Sequence, residues 1–348
     1  MQHSIFGASS ASRWFECPGS VNLSKDVERT TSSYAAEGTA AHALCEKLFE
    51  PTKPNLDKIE EIEGYKVNDE MREAAHDYYN YVSKNMGEYL QIEQTVNLSW
   101  LAPKSGIDIF GTTDAISWDD FGVLKVFDFK YGVRSVNPEN NQQMLFYAVG
   151  AATKDGVDWG DFSHVELHVC QPRGGGNKVW ECSIKHLKDF AELLRVKVKD
   201  ALKHDAILKA GNHCFFCPAK PLCPKQKEKA LKIAQAEFDD IPKLPISELA
   251  EMLKSKEDVV KYFTAIEELL FAEAKKGTKV PGFKIGQGKK NRGWGDAKEV
   301  EKILSLVYGK EIFTKALLKS VAQMEKVVPK EELISFIVTS SSEKLLKI

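Results

Sequence analysis

The sequence predicts an α/β protein with a mixed central sheet flanked by helices, followed by a smaller, mostly helical region. Strand-forming runs cluster in two blocks, near residues 89–132 and 163–184, and a helix with its own start signal separates them. Further helical segments flank both blocks, and this alternation is the pattern of helices layered on a sheet. The first 30 or so residues are irregular, and "SYAAEGTAAHALCEKLFE" then has helical spacing. A polar helix is expected from near Glu60 to Met86. "YLQIEQTVNLSW", "GIDIFGTTDAISW" and "GVLKVFDFKYG" read as strands. Asn137 can cap the next helix, with Pro138 at its first position and "QQMLFYAVGAAT" continuing it. "SHVELHVCQP" and "KVWECSI" are two further strands joined by the turn "RGGGN". A long basic amphipathic helix follows from Lys185 to Ala210 and stops at Gly211. The two prolines of "FDDIPKLPISE" mark a boundary near 238–247, dividing the chain into domains 1–236 and 237–348.

Composition limits the function classes. At 348 residues, 43% hydrophobic and 28% charged, the chain has the make-up of a soluble globular protein. A net charge of −2 leaves nucleic-acid binding to local basic patches. No apolar run is long enough to span a membrane, and "MQHSIFGASSASRWFECPGS" lacks a signal peptide's basic and apolar regions. An intracellular, cytoplasmic protein is the expectation. In that compartment thiols stay reduced, so the seven cysteines are not expected to form disulfides. Cys45, Cys170 and Cys182 sit singly in apolar patterns and read as core residues.

Two groups of residues carry chemistry. In "VLKVFDFKYG", Asp128 and Lys130 are two apart and share a strand face, while Phe127 and Phe129 take the buried one. The turn "WDDFG" folds this strand against the one carrying Asp114; a turn centred on Asp119 and Asp120 sets Asp114 opposite residue 126, close to Asp128. Two carboxylates and a lysine suit a magnesium-type cation acting on a phosphate, though the spacing alone also fits ordinary surface charges. His42, near the start of a helix, can join such a site, and Gln143 and Tyr147 share one helical face, with Gln142 and Phe146 as the competing register. The second group is "CFFCPAKPLC", in which Cys214, Cys217 and Cys223 have the close spacing of thiolate metal ligands. Thiolates suit zinc and iron–sulfur clusters alike, and a distant fourth ligand would close a long loop.

The ordered set Gly38 to His42 (G-x-x-x-H), Gly111 to Asp114 (G-x-x-D), Asp128 to Lys130 (D-x-K) and Gln143 to Tyr147 (Q-x-x-x-Y) resembles the RecB-like branch of the PD-(D/E)XK nucleases. The likeness covers roughly residues 8 to 225, and "DFKYG" and "QPRGGG" are most similar to small phage and prophage nucleases encoded among replication genes. It implies a restriction-endonuclease-like core with a metal-clasped terminus, acting as a metal-dependent DNA exonuclease or end-processing enzyme in phage-type replication or recombination. It also implies that His42, Asp114 and Asp128, with the Phe129 carbonyl, hold Mg²⁺ or Mn²⁺; that Lys130 is catalytic; and that Gln143 and Tyr147 position DNA or the lysine. Asp128 stands where glutamate is commoner. By the same resemblance Cys17 is the fourth ligand beside Cys214, Cys217 and Cys223, together holding a [4Fe–4S] cluster, with Zn²⁺ as the alternative. DNA is the implied partner, with a helicase, polymerase or annealing protein of a replication or recombination module.

Other motifs weigh less. "HVELHVC" puts His164, Glu166, His168 and Cys170 on one strand face, but strand rise sets its ends nearly 14 Å apart, too far for one ion. "GFKIGQGKKN" lacks the spacing of a phosphate loop. The stretch "KKGTKVPGFKIGQGKKNRGW" has seven Lys/Arg and no carboxylate, so Lys284, Lys289, Lys290, Arg292 and Trp294 are candidate DNA contacts, with a solvated loop as the alternative. A competing function is a DNA-binding scaffold that keeps the nuclease fold without turnover.

Overall fold

The computed structural model describes residues 4–27, 33–154, 159–234, 245–288, 291–314, 317–340 and 343–347. The chain divides into two compact units, Met1–Ala236 and Glu237–Ile348. The first opens with α1 (Ala11–Glu16), α2 (Ser20–Leu23) and α3 (Ser33–Lys47). A small hairpin, β1 (Glu61–Ile62) and β2 (Tyr65–Lys66), then precedes α4 (Asp69–Asn85). The polar helix therefore starts later than its charge pattern suggests. Left-handed Glu63 and Gly64 turn the hairpin. Asn68 then caps the helix by accepting from the Met71 N–H.

Five strands form the central sheet: β3 (Tyr89–Asn97), β4 (Phe110–Trp118), β5 (Val123–Phe129), β6 (His164–Cys170) and β7 (Lys178–Ser183), in that spatial order. Only β5 and β6 run parallel, and α5 (Gln142–Ala152) is the crossover between them. Asn141, not Asn137, caps α5, accepting from the N–H groups of Gln143 and Met144. Residues 137–141 instead make a turn with left-handed Asn140, so Pro138 precedes the helix. Next comes α6 (Ile184–Ala201), which ends nine residues before the expected Ala210. Beyond it the chain leaves the helical path to bond the N-terminal segment, where the Gly19 N–H donates to the Ile207 carbonyl. The described part of this unit ends with α7 (Pro224–Ala234).

Strand alternation divides the buried side chains between two cores. Leu124, Val126, Val165, Leu167 and Val169 face α1, α5 and α6. Phe127, Phe129 and Cys170 face α3 and α4. β3 breaks the rule: Ile92 packs on the α3–α4 side, yet Val96, of the same parity, packs on the α5–α6 side. Glu93, with φ +49, sits between them.

The second unit consists of α8 (Ile246–Lys275), β8 (Phe283–Gln287), β9 (Asn291–Trp294), α9 (Ala297–Tyr308), β10 (Phe313–Thr314), β11 (Leu317–Leu318), α10 (Val321–Met324), α11 (Lys330–Leu333), β12 (Ile337–Ser340) and β13 (Glu343–Lys347). Helices account for most of its regular structure, and short antiparallel strand pairs accompany them. β8 pairs with β13 and β9 with β12, across sequence separations that hide such short strands from a local reading. Val300, Leu304, Ile312, Met324 and Leu333 form its own core. Most of the expected boundary, 238–247, lies outside the described residues, which resume at Pro245. Among the described residues no helix is long and apolar enough to cross a membrane.

Gly150 lets α5 lie directly on β3, since a Cβ there would fall 2.7 Å from Val96 Cγ2. Gly150→Leu is expected to destabilise the first unit by about 1–3 kcal/mol through overpacking. Val96→Ala in the same chain should not restore it, because the Val96 Cβ, which alanine keeps, would be the nearest atom at 2.4 Å; both are read by denaturant midpoint. An unchanged midpoint in the single variant would contradict this packing.

Candidate active site

The site forms where β4, β5, α3 and α5 meet. The β4–β5 register pairs Ala115 with Phe127, so Asp114 lies across from Asp128, two residues beyond the expected partner. The cause is the turn. The Asp119 carboxylate accepts the N–H groups of Phe121 and Val123, and Gly122 takes φ +76, which lengthens the connection and moves its centre. The shift brings the two carboxylates closer than the spacing suggests.

Asp128 is 2% exposed. Lys130 Nζ stands 3.0 Å from its Oδ1 and 2.8 Å from its Oδ2. Gln143 Nε2 also donates to Oδ1 at 3.3 Å, while Oδ2 has the ion-pair contact but no hydrogen bond of good geometry. Gln143 Oε1 accepts from Lys130 at 3.2 Å, and its Nε2 reaches the Tyr147 hydroxyl at 3.1 Å. Gln143 and Tyr147 are therefore the helical register that faces the site, and Phe146 is buried in the α5–α6 core. Asp114 Oδ2 accepts the Phe129 N–H at 2.6 Å, and its Oδ1 lies 3.2 Å from His42 Nδ1. His42 leaves a third of its side chain exposed and so rims the opening.

These contacts set the charges. Burial alone would raise the Asp114 carboxyl, but His42, Lys130 and the Phe129 N–H together hold it below the ordinary aspartate value. Burial pushes the His42 imidazole down, and the charge and hydrogen bond of Asp114 outweigh it, leaving it above its usual range. Burial raises Asp128, with Asp114 adding to the effect and Lys130 only partly opposing it. Lys130 is pushed down by burial and more strongly up by Asp128 and Asp114, so it stays an ammonium. Among the described residues no three His, Cys, Asp or Glu side chains are gathered tightly enough to enclose an ion. Lys130 supplies positive charge against the carboxylates that a cation would otherwise supply, and His42 adds its contact to Asp114. The donor set nevertheless fits a hard cation: two facing carboxylates, an imidazole and a buried carboxylate oxygen without a hydrogen bond.

Sequence reasoning missed Glu93. Its neighbours Ile92 and Gln94 pair with Ala115 and Thr113, so it lies across β3 from Asp114. Partial burial, with the charges of Asp114 and Glu46, raises its carboxyl to about 7. Pairing "QIEQT" against "GTTDA" would have revealed it, because a glutamate opposite an aspartate in adjacent strands is unfavourable without a cation.

The cysteines approach one another from distant parts of the chain. Cys17 follows α1 and accepts the Lys209 N–H at 3.2 Å; Cys214 accepts the Gly211 N–H at 3.4 Å. Arg13 Nη1 lies 3.9 Å from Cys217 Sγ. Burial raises the Cys17 thiol, and negative charge on Cys217 and Cys223 would raise it further, which places these sulfurs within electrostatic reach of one another. Cys214 is raised in the same way, with Cys217 and Cys17 adding to burial. Among the described residues no three cysteines are gathered tightly enough to hold an ion, and burial keeps the Cys17 and Cys214 thiols protonated more strongly than usual. Cys45 and Cys170 lie in the α3–α4 core, and Cys182 packs beside the other core.

The remaining candidates are placed differently. The His168 ring lies between Tyr81 (3.0 Å) and Glu166 (2.9 Å) in a buried hydrogen-bonded chain, as a polar strand face should. Lys284 lies on β8, while Lys289 and Lys290 fall outside the described residues. The Arg292 guanidinium is held by both carboxylate oxygens of Glu325. Trp294 packs on the second unit's core and donates its indole N–H to the Lys319 carbonyl, so its ring is not a free stacking surface.

The raised Glu93 carboxyl makes a stability prediction for the metal-free protein. The folded state holds this proton more tightly than the unfolded chain, so stability is lost as pH rises from the ordinary glutamate range through about 7. Glu93→Gln should therefore raise the melting temperature at pH 8 by the equivalent of about 1–3 kcal/mol, discounted for partial exposure. The gain should shrink toward pH 4.5. Equal melting curves at pH 8 would contradict the assigned environment.

Comparison with solved structures finds faint likenesses. SSO0001 is 11% identical with a TM-score of 0.31, over 64% of this chain and 88% of that one. A protein described as "Putative exonuclease" from Eubacterium rectale is 9% identical with a TM-score of 0.30, over 59% of this chain and 90% of that one. The sequence itself matches, over residues 3–345, the family described as "Protein of unknown function (DUF2800)", and the chain belongs to that family.

Proposed function

We propose that the first unit is a metal-dependent DNA nuclease that processes strand ends. The observation that carries this reading is that Asp114 and Asp128 occupy facing positions of β4 and β5, with His42 on the first carboxylate and Lys130 on the second. His42, Asp114 and Asp128 would hold the cation, with the Phe129 carbonyl as a further donor. A divalent ion bound there supplies Lewis-acid activation of the scissile phosphate and of the attacking water. Asp114, kept ionised, brings full negative charge to the ion. Lys130 remains protonated and serves as an electrostatic stabiliser of charge developing on the phosphate, not as a general base. Gln143 fixes Lys130 and Asp128 relative to each other, and Tyr147 fixes Gln143. The four cysteines Cys17, Cys214, Cys217 and Cys223 form a clasp that ties the N-terminal segment to the chain beyond α6. A [4Fe–4S] cluster is the favoured occupant and Zn²⁺ the alternative. A replication or recombination module, with a helicase, polymerase or annealing protein, is the proposed setting.

Asp114→Ala and Lys130→Ala should each lower cleavage of labelled linear DNA in Mn²⁺ by at least about 10²–10³-fold. Lys130→Ala should also lower the melting temperature, because it leaves Asp128 buried without its partner, so the loss in Asp114→Ala is the one that tests the chemistry. Full activity in both refutes the site, and DNA binding without cleavage in any divalent metal favours a scaffold. Anaerobically purified protein should be brown, and Cys217→Ala should lose the colour; colourless protein with stoichiometric zinc would instead assign the clasp to Zn²⁺.

A further inference from the structure

The cysteine turn carries two exposed aromatic side chains that the clasp does not use. Phe216 is 80% exposed and Phe215 47% exposed, and their rings meet edge to face at 4.5 Å between Cys214 and Cys217. The turn beneath them is closed by the Cys217 N–H on the Cys214 carbonyl. Arg134 places its guanidinium 5.9 Å from the Phe215 ring centre, and among the described residues it has no carboxylate partner. A phenylalanine as exposed as Phe216, beside an arginine with no carboxylate partner among the described residues, is an uncommon surface for a protein to keep, because its ring gains little from burial.

The same arginine is tied to the proposed catalytic lysine. Gln171 is fully buried just beyond β6. Its Nε2 donates to the carbonyls of Gly132 at 2.7 Å and Arg134 at 2.8 Å, and its Oε1 accepts from the Val136 N–H at 2.9 Å. The Lys130 N–H donates to the Cys170 carbonyl, so both ends of this loop are fixed to the same strand terminus. Four residues of chain span at most about 14 Å. The Arg134 backbone therefore lies within about 14 Å of that of Lys130, and the aromatic pair lies beyond the arginine's side chain.

We infer that Phe216, with Phe215 and Arg134, forms a stacking subsite for an unpaired base of a single-stranded DNA segment leading toward Asp114, Asp128 and Lys130. The arginine meets the backbone phosphate, and the ring faces take bases without regard to sequence, which is how strands are held without base readout. Paired bases are stacked inside a duplex and do not present their faces, so the subsite selects a frayed or single-stranded end. The inference rests on the nuclease reading for the direction of the strand, but the binding surface stands apart from the catalytic residues.

The test is fluorescence anisotropy of the full-length metallated protein with labelled single-stranded oligonucleotides and a blunt duplex of equal length, in Ca²⁺. Phe216→Ala should weaken single-strand affinity about tenfold, the scale of one base–aromatic stack, and leave duplex affinity unchanged. Phe216→Trp should restore it. Moving one abasic residue along the oligonucleotide should find a position that weakens wild-type binding but not that of Phe216→Ala. Equal loss on both substrates, or no abasic position that distinguishes the two proteins, overturns the subsite. Cleavage assays in Mn²⁺ separate the two readings: base-dependent binding without any cleavage keeps the subsite and removes the nuclease, and cleavage with Phe216-independent binding does the reverse.

Discussion

The first unit depends on burying a carboxylate at the end of β5. Asp128 lies on the strand face that elsewhere carries Leu124 and Val126, so it is drawn into the apolar layer beneath α5. A charge there is costly unless it is paired and hydrogen-bonded. Lys130 and Gln143 meet that demand, and Tyr147 holds Gln143 in place. The positions of α5, the crossover it makes and the first residues after β5 are all tied to neutralising this one group. A buried pair of this kind contributes little net stability, and its value lies in fixing geometry.

A second carboxylate is handled by a different layer. Asp114 projects toward the junction between the two cores, where His42 from α3 and the backbone of Phe129 stabilise its charge. Glu93, across the ladder, has no such partner among the described residues and responds by holding its proton. The left-handed backbone at Glu93 coincides with the place where β3 transfers its packing from one core to the other. Strain and unfavourable charge thus gather in the few residues where the sheet, α3 and α5 come together, as they do where structure is retained for function.

The N-terminal segment and the chain after α6 illustrate how a remote site shapes ordinary secondary structure. The periodicity of residues 185–210 continues past Ala201, but the chain stops being helical there. Backbone bonds to Gly19 and to the Cys17 sulfur take precedence over further helical turns. Local propensity gives way because the competing contacts join segments almost two hundred residues apart and orient sulfur atoms from both.

Much of this was legible in the sequence. Alternation in "VLKVFDF" fixes which residues are buried and puts Asp128 and Lys130 together, and helical spacing puts Gln143 beside Tyr147, because both periods are properties of the backbone itself. The succession of strands and helices along the chain and the close cysteine spacing are equally local. The tertiary structure alone decided the rest: that Asp114 faces Asp128 itself, that Glu93 joins them, that α6 ends at Ala201, and that Arg292 and Trp294 are occupied within the second unit. Each of these depends on a turn conformation or on a partner distant in the chain, and neither is encoded in the period of a single segment.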